Sequence, residues 1–118
     1  MNVLIVGYGR MGHEVEAALG NRGHRVVARV DRTPGVGDTT EISSELLRSS
    51  QAVIEFSLPE GVVDHIRTYA AAGVPAVVGT TGWDEKKPEA RTIVEGFQSA
   101  LVHGTNFSIG AHLFFQLV

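Results

Sequence analysis

Val3-Leu4-Ile5-Val6-Gly7-Tyr8-Gly9-Arg10-Met11-Gly12 decides how this chain folds. Four consecutive apolar residues ending on glycine form a strand buried on both faces. Glycines at the spacing Gly-x-Gly-x-x-Gly then carry the chain from that strand into a helix. Gly7 permits the tight turn, Gly9 lets backbone approach a pyrophosphate with no Cβ in the way, and Gly12 lets the helix pack closely on the strand. The free N–H groups of the helix start face the anion, and the helix dipole adds on the order of 0.3–1 kcal/mol. The spacing alone is a weak signal. Here it has a strand before it, a helix after it and an acidic residue at the end of the next strand.

Met11, Val15, Ala18 and Leu19 fall at i, i+4, i+7 and i+8, which predicts a helix over 11–20 that Gly20 or Gly23 stops. His24 to Val30 reads as a second strand, so residues 3–30 make a strand–helix–strand unit long enough for a parallel crossover. Asp31 stands 19 positions after Gly12, where a carboxylate accepts the adenosine ribose hydroxyls. Arg32 beside it suits a 2′-phosphate or an adenine face. Asp31 repels that phosphate and Arg32 attracts it, so the pair predicts use of both NADH and NADPH. A solvated loop salt pair is the plainer alternative.

The pattern then repeats. Ala52 to Phe56 is a strand, Ser57 an N-cap with Pro59 in the first turn and Glu60 three after the cap, and 60–71 a helix ended by Gly73. Pro75 to Val78 is a strand breaking at Gly79, 87–98 a helix, and Ala100 to His103 a last strand. Residues 32–51 read as a Gly/Pro/Thr loop followed by a short helix near Ser44–Arg48. Alternating strands and helices with apolar strands predict one α/β domain over 1–118: a Rossmann-like, doubly wound parallel sheet, with strand order 3-2-1-4-5. Ligands of such sheets sit at the carboxyl ends of strands. Three further corners fall there: Phe56-Ser57, Gly79-Thr80-Thr81-Gly82 and Gly104-Thr105-Asn106-Phe107-Ser108. Their hydroxyls and backbone suit a carboxamide and a ribose, and a phenyl ring suits a nicotinamide face. Each alone is equally a turn or cap.

Composition removes other classes. Of 118 residues, 43% are hydrophobic and 19% charged, enough for a buried core. Ten Lys and Arg against 13 Asp and Glu give a net charge of −3, with no basic footprint for nucleic acid. Without cysteine there is no disulfide scaffold and no thiolate metal site. His13, His24, His65, His103 and His112 have no ligand spacing, so no metal is expected. The start lacks the basic stretch of a secretory signal, and polar residues through 97–118 argue against a spanning helix, which makes a cytoplasmic domain the default reading. Lys86 and Lys87 lie in a polar, solvated-looking loop, Gly73 rather than lysine stands four after Tyr69, and no residue qualifies as proton donor or nucleophile. Ile109, Leu113 and Leu117 share one helical stripe, with Phe114, Phe115 and Val118 on adjacent directions and no ending signal after them. That reads as a helix begun near 109 and cut before a further domain, or as a terminal helix buried in a dimer.

Taken together, residues 7–12, Val53-Ile54-Glu55-Phe56-Ser57-Leu58-Pro59-Glu60, Gly73-Val74-Pro75, Gly79-Thr80-Thr81-Gly82-Trp83 and Asn106-Phe107-Ser108-Ile109-Gly110 resemble dihydrodipicolinate (4-hydroxy-tetrahydrodipicolinate) reductases in order and spacing. The resemblance implies an oxidoreductase of lysine and diaminopimelate synthesis that reduces a cyclic unsaturated dicarboxylate with NADH or NADPH. On matching positions it implies that Gly7, Tyr8, Gly9, Arg10, Met11 and Gly12 hold the pyrophosphate. Asp31 and Arg32 would hold the adenosine end, and Gly79, Thr80, Thr81, Gly104, Thr105, Asn106 and Phe107 would frame the nicotinamide. The family is usually a homotetramer, built largely through a second domain carrying a His-His-x-x-Lys proton donor and a Ser-Gly-Thr substrate loop. Neither motif occurs here, and Ala111-His112 replaces the usual Val-Asn. No catalytic residue is therefore assigned to this chain, which alone is expected to bind dinucleotide without turnover. A stand-alone nucleotide-sensing domain is the alternative from another class. A methyltransferase-like nucleoside binder would leave the later corners without a role.

Overall fold

In the computed structural model, which describes residues 1–103, the first strand β1 (Asn2–Val6) sits inside a five-stranded, all-parallel sheet. Along the chain follow α1 (Arg10–Asn21), β2 (Arg25–Val30), α2 (Ser44–Arg48), β3 (Ala52–Glu55), α3 (Val62–Ala71), β4 (Ala76–Val78), α4 (Lys87–Gly96) and β5 (Leu101–His103). Short 3₁₀ turns at Pro59–Gly61 and Asp84–Lys86 lead into α3 and α4. The expected corner at Gly104–Phe107 and the expected helix from 109 lie outside the described residues.

The strand order is β2-β1-β3-β4-β5, not the expected 3-2-1-4-5. β3 pairs with β1, Val3 opposite Ala52 through Val6 opposite Glu55. The reason lies in the side chains. All four β3 residues are buried, which requires neighbours on both sides, whereas β2 carries Arg25 and Arg29 and suits an edge. The place beside β2 that the expected order gave to a third strand holds a loop, joined through one parallel bridge between Val30 and Thr39.

Crossovers between parallel strands are right-handed, so reversing the direction of travel along the sheet moves the helices to its other face. β1 to β2 runs one way, and everything after β2 runs the other. Accordingly Val15 and Leu19 of α1 pack with Val3, Ile5 and Ile54 on one face. On the opposite face, Val62, Ile66 and Tyr69 of α3 and Ala90 of α4 pack with Leu4, Val6 and Val53. The reversal lies between β1 and β3, and a crevice is expected where the connections leaving their carboxyl ends turn to opposite faces of the sheet.

Local signals set the element ends. Ser43 caps α2, its Oγ accepting the Leu46 N–H at 3.1 Å. Gly23 at φ +77° follows α1. Ser57, expected as an N-cap, is not one, because its hydroxyl is drawn to Glu55 and the 3₁₀ turn starts after Leu58. Lys87 opens α4 rather than lying free in a loop, pairing with Asp84 at 2.6 Å and lying 5.5 Å from the Trp83 ring centre.

Candidate functional site

The ends of β1, β3 and β4 are held level by a ladder that runs one residue past each strand. Gly7 donates to the Val30 carbonyl at 2.7 Å, Phe56 to Val6 at 2.8 Å and Gly79 to Glu55 at 2.8 Å. The glycine turn beyond β1 has little freedom. A Cβ on Gly12 would lie 2.4 Å from the Gly7 carbonyl oxygen, so α1 rests directly on the turn that starts it. Gly9 differs, because a Cβ there would meet nothing within 4 Å and would project into open space. Gly9 is also the N-cap of α1, with no side-chain cap and no acidic residue in the first turn, so the helix start is left for an external acceptor.

A cleft of about 790 Å³ runs from this turn across the end of β3, with Gly7, Gly9, Asp31, Arg32, Ser57 and His65 in its lining. That size suits a small-molecule cofactor. Four of the sequence-predicted residues, Gly7, Gly9, Asp31 and Arg32, therefore share one cavity. Tyr8, Arg10, Met11 and Gly12 belong to its supporting turn and helix rather than to its wall. Arg10 is almost wholly solvent-exposed and faces Glu14 at 3.8 Å. Asp31 is bound at both oxygens: Oδ2 accepts the Tyr8 N–H at 2.8 Å and Oδ1 the Thr33 N–H at 2.9 Å. Each oxygen retains a lone pair for a ribose hydroxyl, and the two bonds fix where it points.

The Gly79–Gly82 corner does a different job. A Cβ on Gly79 would sit 2.1 Å from the Phe56 ring, so this glycine is the seat of that phenyl group. Thr80 is buried, its Oγ1 accepting the Ser57 N–H at 2.9 Å and its carbonyl the Trp83 indole N–H at 2.8 Å. Thr81 is exposed. None of Gly79, Thr80 and Thr81 lines the cleft, but Gly79 seats Phe56 and Thr80 holds Ser57, and both of those do.

Two clusters escaped the sequence reading. One joins the glycine turn to the loop after β2. Tyr8 donates its hydroxyl to Glu16 at 2.6 Å, and Arg29 grips Glu16 with Nε at 2.9 Å and Nη2 at 2.5 Å while Nη1 reaches Asp38 at 3.2 Å. The Arg29 and Tyr8 hydrogen bonds pull the Glu16 pKa down to about 2, and the hydrogen bonds to Glu16 and Asp38 push that of Arg29 up. A depressed carboxylate pKa gives stability that is full above the unfolded value and is lost as pH falls through the folded one. Glu16 is about one-third exposed, so solvent screening trims the effect to about 1 kcal/mol. Urea midpoints of the native chain should thus fall between about pH 5 and pH 2, and those of Glu16→Gln should fall less.

The second cluster is buried beside the cleft. Glu55 at the end of β3 is fully buried, and its carboxylate accepts from Tyr69 Oη at 2.5 Å, His65 Nδ1 at 2.9 Å and the Ser57 hydroxyl. The sequence did hold a signal: a glutamate in the otherwise apolar run Ala52-Val53-Ile54, and His65 and Tyr69 spaced i, i+4 on one helix face. Among the described residues no group of three His, Cys, Asp or Glu could hold a metal ion, and no helix is long and apolar enough to cross a membrane.

A doubly wound parallel sheet with a glycine turn at its reversal point defines a Rossmann-like domain. Residues 1–107 match the family model described as dihydrodipicolinate reductase, N-terminus, and the chain belongs to that family. It is 34% identical over 117 residues to 4-hydroxy-tetrahydrodipicolinate reductase of Christiangramia forsetii, covering 99% of this chain and 46% of that protein. It is 40% identical to the enzyme of that name from Natronomonas pharaonis, covering 100% of this chain and 50% of that one. The chain thus spans about half the length of the curated relatives it matches. Among solved structures, a hyperthermophilic archaeal homoserine dehydrogenase in complex with NADPH superposes with a TM-score of 0.69 at 12% identity, over 86% of this chain and 43% of that one. A Synechocystis biliverdin reductase in complex with biliverdin and NADP+ gives 0.67 at 14%, over 86% and 37%. At such identities these two share the fold.

Proposed function

We propose that this chain is the NAD(P)H-binding portion of a 4-hydroxy-tetrahydrodipicolinate reductase, serving lysine and diaminopimelate synthesis. The observation that carries the reading is the uncapped start of α1 beneath Gly7 and Gly9, opening into the same cleft as Asp31 and Arg32. Backbone N–H groups of residues 9–12 would hold the diphosphate, Asp31 the adenosine ribose and Arg32 the adenine face or a 2′-phosphate. The Phe56–Ser57 corner, together with residues 104–107, would border the redox ring. The cofactor, once bound, supplies the hydride. This chain's contribution is position: it binds the dinucleotide at fixed points so that a cyclic unsaturated dicarboxylate, held by the rest of the reductase, meets the ring at short range. The homotetramer that the family resemblance implies for the whole enzyme, and the cytoplasmic setting read from the sequence, belong to the same reading.

Calorimetric titration tests it. NADH and NADPH should both bind, with dissociation constants within about a hundredfold of one another, or about 2.7 kcal/mol. Asp31→Asn should weaken both by about tenfold, through loss of charge-assisted bonds to the ribose. Residues 1–118 alone should show no reductase turnover. Absence of binding by either nucleotide, or turnover by the isolated chain, would refute the assignment.

A further inference from the structure

The carboxylate of Glu55 only accepts hydrogen bonds, so the Nδ1 facing it at 2.9 Å must carry a proton. That fixes the tautomer of His65. When neutral, the ring has a bare Nε2 acceptor; when it takes a second proton, Nε2 becomes a donor on a cation. The His65 side chain is 32% exposed and lines the same cleft as Asp31 and Arg32, while Glu55 behind it has no exposure at all. Gly61 lies against the open edge of the ring, where a Cβ would sit 3.4 Å from Nε2. No partner for Nε2 is seen among the described residues. One proton therefore changes what this wall of the cleft offers a ligand, from acceptor to cationic donor.

We infer that Glu55 is a positioning residue of the nucleotide cleft, holding His65 so that its outer ring edge contacts the adenosine half of the dinucleotide and grips it harder when the imidazole is doubly protonated. The inference rests on the binding role proposed above. The charges around His65 support the sign. Glu55 beneath it, Asp64 on its own helix and Glu60 on the preceding turn are acidic, and Asp31 and Arg32 lie in the lining of the same cleft. The Glu55 hydrogen bond raises the His65 pKa, against a smaller opposing effect of burial. A raised histidine pKa keeps the cation up to a higher pH and loses it as pH rises through that value. Because the dinucleotide is an anion, its affinity should decline over the same interval. Tyr69 is held neutral by burial and by Glu55, so it does not titrate there.

The test is the dissociation constant of NADH, followed by nicotinamide fluorescence from about pH 6 to about pH 9. NADH is preferred because the 2′-phosphate of NADPH itself titrates at the acid end. The native chain should bind about five- to tenfold more weakly at the alkaline end. Glu55→Gln removes the hydrogen-bonding carboxylate while keeping an acceptor, and should move the midpoint down, toward that of free histidine. His65→Asn, at a partly exposed position, should flatten the profile even if Glu55→Gln folds poorly. An affinity that is flat or that rises with pH in the native chain, or a Glu55→Gln profile that overlays it, would overturn the inference while leaving nucleotide binding intact. No binding at any pH would sink both.

Discussion

Gly7→Ala is expected to lose at least about 3 kcal/mol of stability, and dinucleotide binding with it. Two independent costs add here. Gly7 has φ +92°, a conformation that an L side chain adopts only under strain. Its missing Cβ would also lie 2.0 Å from the Phe56 carbonyl oxygen and 2.5 Å from the carbonyl carbon, backbone atoms that the neighbouring strand cannot withdraw. Relief would require β1 and β3 to separate where the Phe56 N–H bonds the Val6 carbonyl. Thermal unfolding should show a midpoint lower by about 10 °C or more. Gly9→Ala is the informative partner. Its Cβ enters open space, so the fold should change by less than about 1 kcal/mol while the methyl stands where a diphosphate must approach. Equal stability losses in the two variants, or undiminished NADH binding by Gly9→Ala, would contradict this account of the turn.

Trp83→Ala carries the second large effect, about 3–5 kcal/mol. The indole is 3% exposed, donates to the Thr80 carbonyl at 2.8 Å, meets His103 edge-on at 5.9 Å and lies under the Lys87 ammonium. Its loss leaves a cavity between β4 and α4 and frees the Thr80 carbonyl. Thr80 in turn supports the Ser57 N–H, so the damage should reach the cleft. Trp83→Phe keeps most of the packing and should cost about 1–2 kcal/mol. Chemical denaturation of the three proteins decides the ranking, read by far-ultraviolet dichroism because Trp83 is the only tryptophan. A loss below about 1 kcal/mol for Trp83→Ala would show that the corner holds itself.

How much of this was legible beforehand follows from the range of the forces involved. Strands and helices are local, and apolar runs broken by Gly7, Gly23, Gly73 and Gly79 mark them to within a residue or two. Strand order is not local. Which side of β1 receives β3 depends on the polarity of β2, whose Arg25 and Arg29 mark an edge without naming the neighbour on its inner side. At the cleft, Gly7, Gly9, Asp31 and Arg32 carry a spacing signature, and all four line its wall. Thr80 supports Ser57 and Gly79 seats Phe56, contacts that the sequence does not announce, because a small residue at a strand end looks alike whether it braces a neighbour or faces a ligand. Glu55, His65 and Tyr69 meet only after β3 and α3 pack, and a lone carboxylate in an apolar run does not announce its partners.

The loop beside β2 has a consequence for how copies of this chain meet. Arg29 spends its outward backbone groups on that loop, its carbonyl accepting from Asp38 at 2.7 Å and its N–H donating to the Asp38 carboxylate at 2.8 Å. A flat, unsatisfied margin would invite a second molecule to extend the pleated layer, the usual opening step of amyloid-like growth. Here that margin is already occupied from within at its carboxyl half, so the segment that shapes the nucleotide pocket also guards the molecule against self-templating.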